Sequence, residues 1–371
     1  SSTSNAMGSD ASNASGTNRR RSSLGRFVCL AMSAALLIVA PQVLAHGVHH
    51  AEQPTRQLES PDETPAKARD QETIAELIQR YSLEGDDHLI EKARQILDQQ
   101  PARLTSDSQT KLHRAWLAQA EHQFASALAL ADEVLSTQPG HPQGLLMRAA
   151  ILTVLGDPRA TAACHSLVAA LDLTAGLACQ AQLLDGELDQ TLAMQKLITI
   201  SGLQSSNELS PWVDSVIADL ARTSGHYAIA ERYYRRSSAA FPSVQVRSAH
   251  VDLMLLQQQY SRVLAYVDPT ETAPALAVRR MVAGINAGVT RPKDLTETDQ
   301  QFRRWVARED FKHAREMAMF YLDVKPDLEL AHQLASINLQ TQREREDRAL
   351  LERTNRLLGD KEQNSLVGLN Y

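Results

Sequence analysis

Two cysteines carry the sharpest chemistry in this chain. Cys164 and Cys179 lie on either side of a polar turn at Asp172–Thr174, at nearly equal distances from it. If two helices fold back on each other there, the two thiols come level. In an oxidising compartment this predicts a disulfide, provided both side chains enter the gap and the Cα atoms approach within about 7 Å. A loop of about 15 residues closed this way stabilises by roughly 3 kcal/mol on the chain-entropy model. The alternative is a pair of buried thiols. A second group is His46, His49 and His50. If processing follows Ala45, the new α-amino group and the His46 ring place two nitrogen donors on one residue, a set that suits copper. Histidines on an unstructured segment lack the partners that orient metal ligands, so no metal is assigned and the cluster stands only as an alternative. Asp214 with Asp219, and Glu309 with Asp310, are carboxylate pairs on what read as polar helix faces, where such pairs are solvated. No nucleophile elbow, phosphate loop, Cys-x-x-Cys or His-Glu-x-x-His motif occurs, so neither catalysis nor a cofactor is expected.

The elements that position these residues are helical. Aromatic residues make up only 5%, and runs of Val, Ile and Thr are missing, which leaves strands without support. A chain of 371 residues is long for one core but suits a repeat architecture that stacks small units. Its formal charge is -6, with 38 basic against 44 acidic residues. With no basic block beyond the leader, nucleic-acid binding is disfavoured.

The stretch Ser210–Pro242 organises the reading. Pro211 suits a first helical turn with Ser210 as its cap, Gly225 marks a turn, and a second helix runs to Pro242. Ala218 and Ala230 would let the two helices approach closely, with Tyr227 and Tyr234 filling the space beside that contact. Ala218, Gly225, Tyr227, Ala230, Tyr234 and Pro242 stand at the spacing of a 34-residue unit, with Trp212 nearby. The stretch resembles a tetratricopeptide repeat.

Comparable units run along the chain. The first pairs Gln71–Leu83 with His88–Gln99; the second is carried by Leu112, Ala115 and Trp116, then Phe124, Ala127 and Ala131. A third follows Pro142, a fourth turns at Gly186, and the sixth ends at Pro269. Registered by the residue after each inter-helix turn, Phe124, Pro158, Leu188, Tyr227, Tyr260 and Phe311 are separated by 34, 30, 39, 33 and 51 positions. The long interval signals an inserted helix near Ala275–Ala287 and a bend. A seventh unit holds Phe302, Trp305 and Phe311, and an eighth pairs Leu328–Gln340 with Arg345–Leu358, the last helix having the charge of a solvent-facing cap. The expected fold is all-α, a right-handed superhelical solenoid of about eight antiparallel helix pairs over residues 70–358. A loose tail is expected at 359–371.

Upstream, Met7 reads as the natural start. Arg19, Arg20, Arg21 and Arg26 precede an apolar run from Phe27 to Ala40, and Val43-Leu44-Ala45 offers a cleavage site. Residues 1–45 are therefore read as a short leading stretch plus a secretory signal, whose removal (four arginines and one aspartate) takes the charge from -6 to -9. An uncleaved inner-membrane anchor is the alternative. Residues 46–69, with Pro54, Pro61 and Pro65, read as a disordered linker. The localisation implied is secreted, in a bacterial periplasm.

The resemblance implies a non-catalytic scaffold for a protein or peptide partner. It implies a concave groove lined by the first helix of each pair, which on the fifth and sixth pairs presents Trp212, Ser215, Asp219, Arg222, Ser248, Asp252 and Leu255. A tryptophan among charges suits peptide recognition; alternatively, Trp212 packs between neighbouring hairpins. The Lys and Asn clamp that some relatives use on C-terminal carboxylates is absent, with Val216 where the asparagine would stand. The rival functions are copper handling by the N-terminal histidines and envelope assembly from a membrane anchor; the partner and oligomeric state stay open.

Overall fold

Residues 72–100 and 107–368 are described by a computed structural model, and among them every regular element is a helix. The first eight are α1 (Ile74–Glu84), α2 (Asp87–Asp98), α3 (Ser108–Ala120), α4 (Phe124–Thr137), α5 (Pro142–Val154), α6 (Ala160–Ala170), α7 (Leu173–Ala181) and α8 (Glu187–Leu203). Then come α9 (Ser210–Thr223), α10 (Tyr227–Ala240), α11 (Val244–Leu256), α12 (Tyr260–Tyr266), α13 (Pro274–Ala287), α14 (Pro292–Ala307), α15 (Ala314–Asp323), α16 (Leu328–Thr341) and α17 (Arg345–Gly368). α13 is the helix that the 51-residue interval anticipates. α17 continues through most of the stretch expected to be a loose tail. No described helix is long and apolar enough to cross a membrane.

Local chemistry sets most of the helix starts. Thr73 and Glu76 form a reciprocal capping box on α1, and Asp86, Asp107, Asp172, Ser243 and Asp327 each accept a hydrogen bond from a backbone N–H in the first turn that follows. Pro142, Pro211, Pro274 and Pro292 sit where a first turn needs no N–H. Ser210 departs from expectation. Leu209 occupies the cap position, and the Ser210 hydroxyl accepts from the Asn207 N–H at 2.8 Å.

The turns repeat a single backbone device. His122, Gly156, Gly225, Gln258 and Glu309 all adopt left-handed conformations, with φ of 58°, 61°, 76°, 56° and 55°. Each directly follows the first helix of a hairpin and lets the chain reverse. Glycine takes this conformation without strain, whereas His122, Gln258 and Glu309 carry a cost of roughly 1–2 kcal/mol each.

Consecutive helices bury their apolar faces against one another, producing several adjoining cores. Ala218 and Ala230 are fully buried where α9 meets α10, and Tyr234 fills the space beside them. Tyr227 does not share that role: it is 36% exposed. Cys164 on α6 and Cys179 on α7 form the expected disulfide, with a Cα–Cα distance of 5.3 Å and both residues fully buried.

The two ends of the helical array meet. Gly85, in the α1–α2 turn, lies so close to α11 and α13 that a Cβ there would fall 2.8 Å from the Ala273 Cβ and 3.2 Å from a Val244 methyl. Asp87 pairs with Lys312 and lies 3.4 Å from the His313 ring. The α16–α17 turn reaches back to the N-terminal half: Arg343 N–H donates to the Val154 carbonyl at 2.8 Å, and Gln342 bonds the His122 ring at 3.1 Å.

Candidate functional site on the inner face

α9 and α11 bring together four of the seven residues assigned to a groove. Asp219, Arg222, Ser248 and Asp252 line one cavity of about 200 Å³, together with residues of α1, α13, α15 and the α16–α17 turn. The other three do not join them. Trp212 is 1% exposed and belongs to the core shared by α5 through α11, and Ser215, equally buried, donates its hydroxyl to the Trp212 carbonyl at 2.7 Å. Leu255 packs against the core formed by α11, α12 and α13. The groove assignment of Trp212 is therefore corrected: the indole packs between neighbouring hairpins, because α9 is covered on almost every side.

The residues that do converge form an ionic network. The Tyr234 hydroxyl donates to Asp219, and Arg222 Nε donates to the same hydroxyl at 3.1 Å. Arg222 Nη2 then reaches Glu346 Oε1 at 2.8 Å, so its charge is directed at the first turn of α17. Asp252 holds Arg279 by two parallel bonds of 2.7 and 2.9 Å, the bidentate geometry that makes an arginine–carboxylate pair rigid. Burial pushes the Asp219 carboxyl up to about 6, against the pull of Arg222.

The α16–α17 turn and the first turn of α17 contribute buried acids, although the last helix was expected to face water. Glu344 is 8% exposed and Asp347 only 1%, and Arg315 donates to both at 2.7 Å. Burial outweighs that arginine and raises both carboxyls, Glu344 to about 8. Glu346 moves the other way: its burial is offset by Arg222 and Arg315, and its carboxyl is held below the usual range.

Of the two carboxylate pairs read as solvated, Glu309 and Asp310 are exposed and Asp214 with Asp219 is not. Asp214 is 4% exposed and paired to Arg236, so it is structural rather than solvated, with burial raising its carboxyl. Glu309 is exposed in its turn. His46, His49 and His50 lie outside the described residues. Among the described residues, no group of three His, Cys, Asp or Glu side chains is placed to hold a metal ion.

Arg279, Lys312, His313, Arg315 and Glu316 line the same cavity and were missed. They sit just within and beyond the inserted helix, and a bend predicted without a direction does not say which residues it turns inward. Comparison with protein-family models, curated proteins and solved structures finds no match to this chain.

Proposed function

We propose that this protein is a non-catalytic scaffold of tetratricopeptide-like architecture, exported to a bacterial periplasm, that holds a polypeptide partner on its inner face. In this reading the helices form eight pairs with α13 unpaired, winding as a right-handed superhelix. One observation supports the site above the others: Asp219, Arg222, Ser248 and Asp252, chosen from two separate first helices, line one cavity. The Cys164–Cys179 bond suits the oxidising compartment that the leader implies.

The test is crosslinking capture from the native envelope, comparing the wild-type chain with Ala249→Arg. Ala249 borders the cavity and is partly buried, so an arginine there projects into the space without disturbing a hydrogen bond. Specific partners captured by wild type and lost with Ala249→Arg, at unchanged helical content, are the expected result. Identical capture by both would remove the inner face as the binding surface.

A further inference from the structure

Resting on the inner face as the binding surface, we propose that its cavity receives a cationic side chain, an arginine or lysine of the bound polypeptide, with Glu316 as the counter-ion. Every basic side chain at the cavity already has an acid. Arg222 is bonded to Glu346, Arg279 to Asp252, Lys312 to Asp87, and Arg315 to Glu344 and Asp347. Glu316 has no such partner. Its side chain is 14% exposed and its one ion pair is with His313 Nδ1, at the long distance of 4.0 Å, while Arg315 and Arg279 act on it only from further away. A largely buried side chain of this kind is stabilised by a direct cationic partner, and each of this cavity's own Arg and Lys side chains is engaged by another acid.

Hydrogen bonding points the same way. Ser248 borders the cavity, is 6% exposed, and its hydroxyl has no partner. In the adjoining network, Asp87 Oδ1 is likewise buried without a donor. Acceptors are in excess, and an ammonium with three N–H groups or a guanidinium with five supplies what is missing.

Size and walls select a side chain rather than a whole cofactor. At about 200 Å³ the cavity is smaller than the roughly 300–1,000 Å³ that drug-sized ligands occupy, but larger than the roughly 150 Å³ that admits benzene. Tyr81, Val244 and Pro274 on its walls offer apolar surface for the methylene stem of a long basic residue. The absence of a metal-holding triad among the described residues favours an organic cation over a metal ion.

The test is a calorimetric titration with the peptide acetyl-Gly-Gly-Arg-Gly-Gly-amide, alongside peptides carrying norleucine or glutamate in place of arginine, and spermidine. Saturable binding of the arginine peptide alone, or with weaker binding of spermidine, is expected. Glu316→Gln should weaken the arginine peptide at least about tenfold, a loss of about 1.4 kcal/mol. It should leave the peptide-free melting temperature little changed, because the carboxylate makes no close ion pair in the free protein. Ser248→Ala, which breaks no hydrogen bond, should weaken binding severalfold. No binding of the arginine peptide, equal binding of the norleucine peptide, or indifference to Glu316→Gln would overturn the proposal, and tighter binding of spermidine would reassign the cavity to a free polyamine. If Ala249→Arg still abolishes partner capture while the arginine peptide fails to bind, the scaffold reading stands and only the cationic occupant is lost.

Discussion

At the scale of single residues, Trp212 shows what helical periodicity omits. A repeat of three and four tells which residues share a face, and the face away from α10 was taken to line the groove. On α9, however, every residue from Pro211 to Ala218 is buried, because α9 packs against α7, α8, α10 and α11. A helix covered on all sides has no outward face to read. Asp219 and Arg222, near its C-terminal end, are less covered and line the cavity. Trp212→Ala would therefore act on stability rather than recognition. Losing an indole from this core should cost about 3–5 kcal/mol, read as a lower urea midpoint. A midpoint unchanged within error would return Trp212 to the binding surface.

At the scale of elements, the hairpins were legible because their signals are local. The short turn at Asp172, with its carboxylate accepting the Ala175 N–H at 2.7 Å, folds α7 back along α6 and brings Cys164 level with Cys179. Both facts follow from spacing alone. The bond spans 15 residues, so the double variant Cys164→Ser, Cys179→Ser should lose roughly 3 kcal/mol by the loop-closure account. Buried hydroxyls without partners would add to that loss. Chemical denaturation of oxidised wild type, reduced wild type and the double variant separates the two contributions. Oxidised and reduced wild type with the same midpoint would mean that the bond constrains nothing. The α16–α17 turn was not legible in this way. Its Glu and Asp composition reads as solvated, yet Asp347 and Glu344 are drawn inward by Arg315, which lies 32 and 29 positions earlier in the chain.

At the scale of the whole molecule, the meeting of the two ends rests on contacts between residues far apart in the sequence, so it leaves no local trace. Asp87 and Lys312 are 225 positions apart. The meeting is also chemically distinct from the cores: several of its contacts are ionic or polar, and their protonation gives it a pH window. His122, stacked on Phe124 and bonded to Gln342, is held down to about 3, chiefly by burial and then by the nearby His313, Arg315 and Lys312. Its folded value lies below its unfolded one, so it stabilises fully above about 6.5, and that contribution is lost as the pH falls toward 3. Glu344 has the opposite sign. Its folded value is raised to about 8, so its contribution is complete below its ordinary value near 4.5 and is lost as the pH rises through 8. Asp219, raised to about 6, adds to the same alkaline limb over a lower range, while Asp87, lowered to about 2, adds to the acid limb. Taken together these four groups put the greatest stability at about pH 4 to 4.5, with a fall below it and a net decline above it. Glu344→Gln keeps an oxygen acceptor for Arg315 and should flatten the decline above pH 6.5. His122→Asn, whose short side chain tolerates the left-handed turn, should flatten part of the acid fall. Melting temperatures recorded across pH 3–9 for the three proteins, with the radius of gyration at each end, would show it. Parallel profiles for wild type and Glu344→Gln would mean that the α16–α17 turn is not what the alkaline limb reports, and a radius that stays constant while stability falls would mean that the two ends do not part.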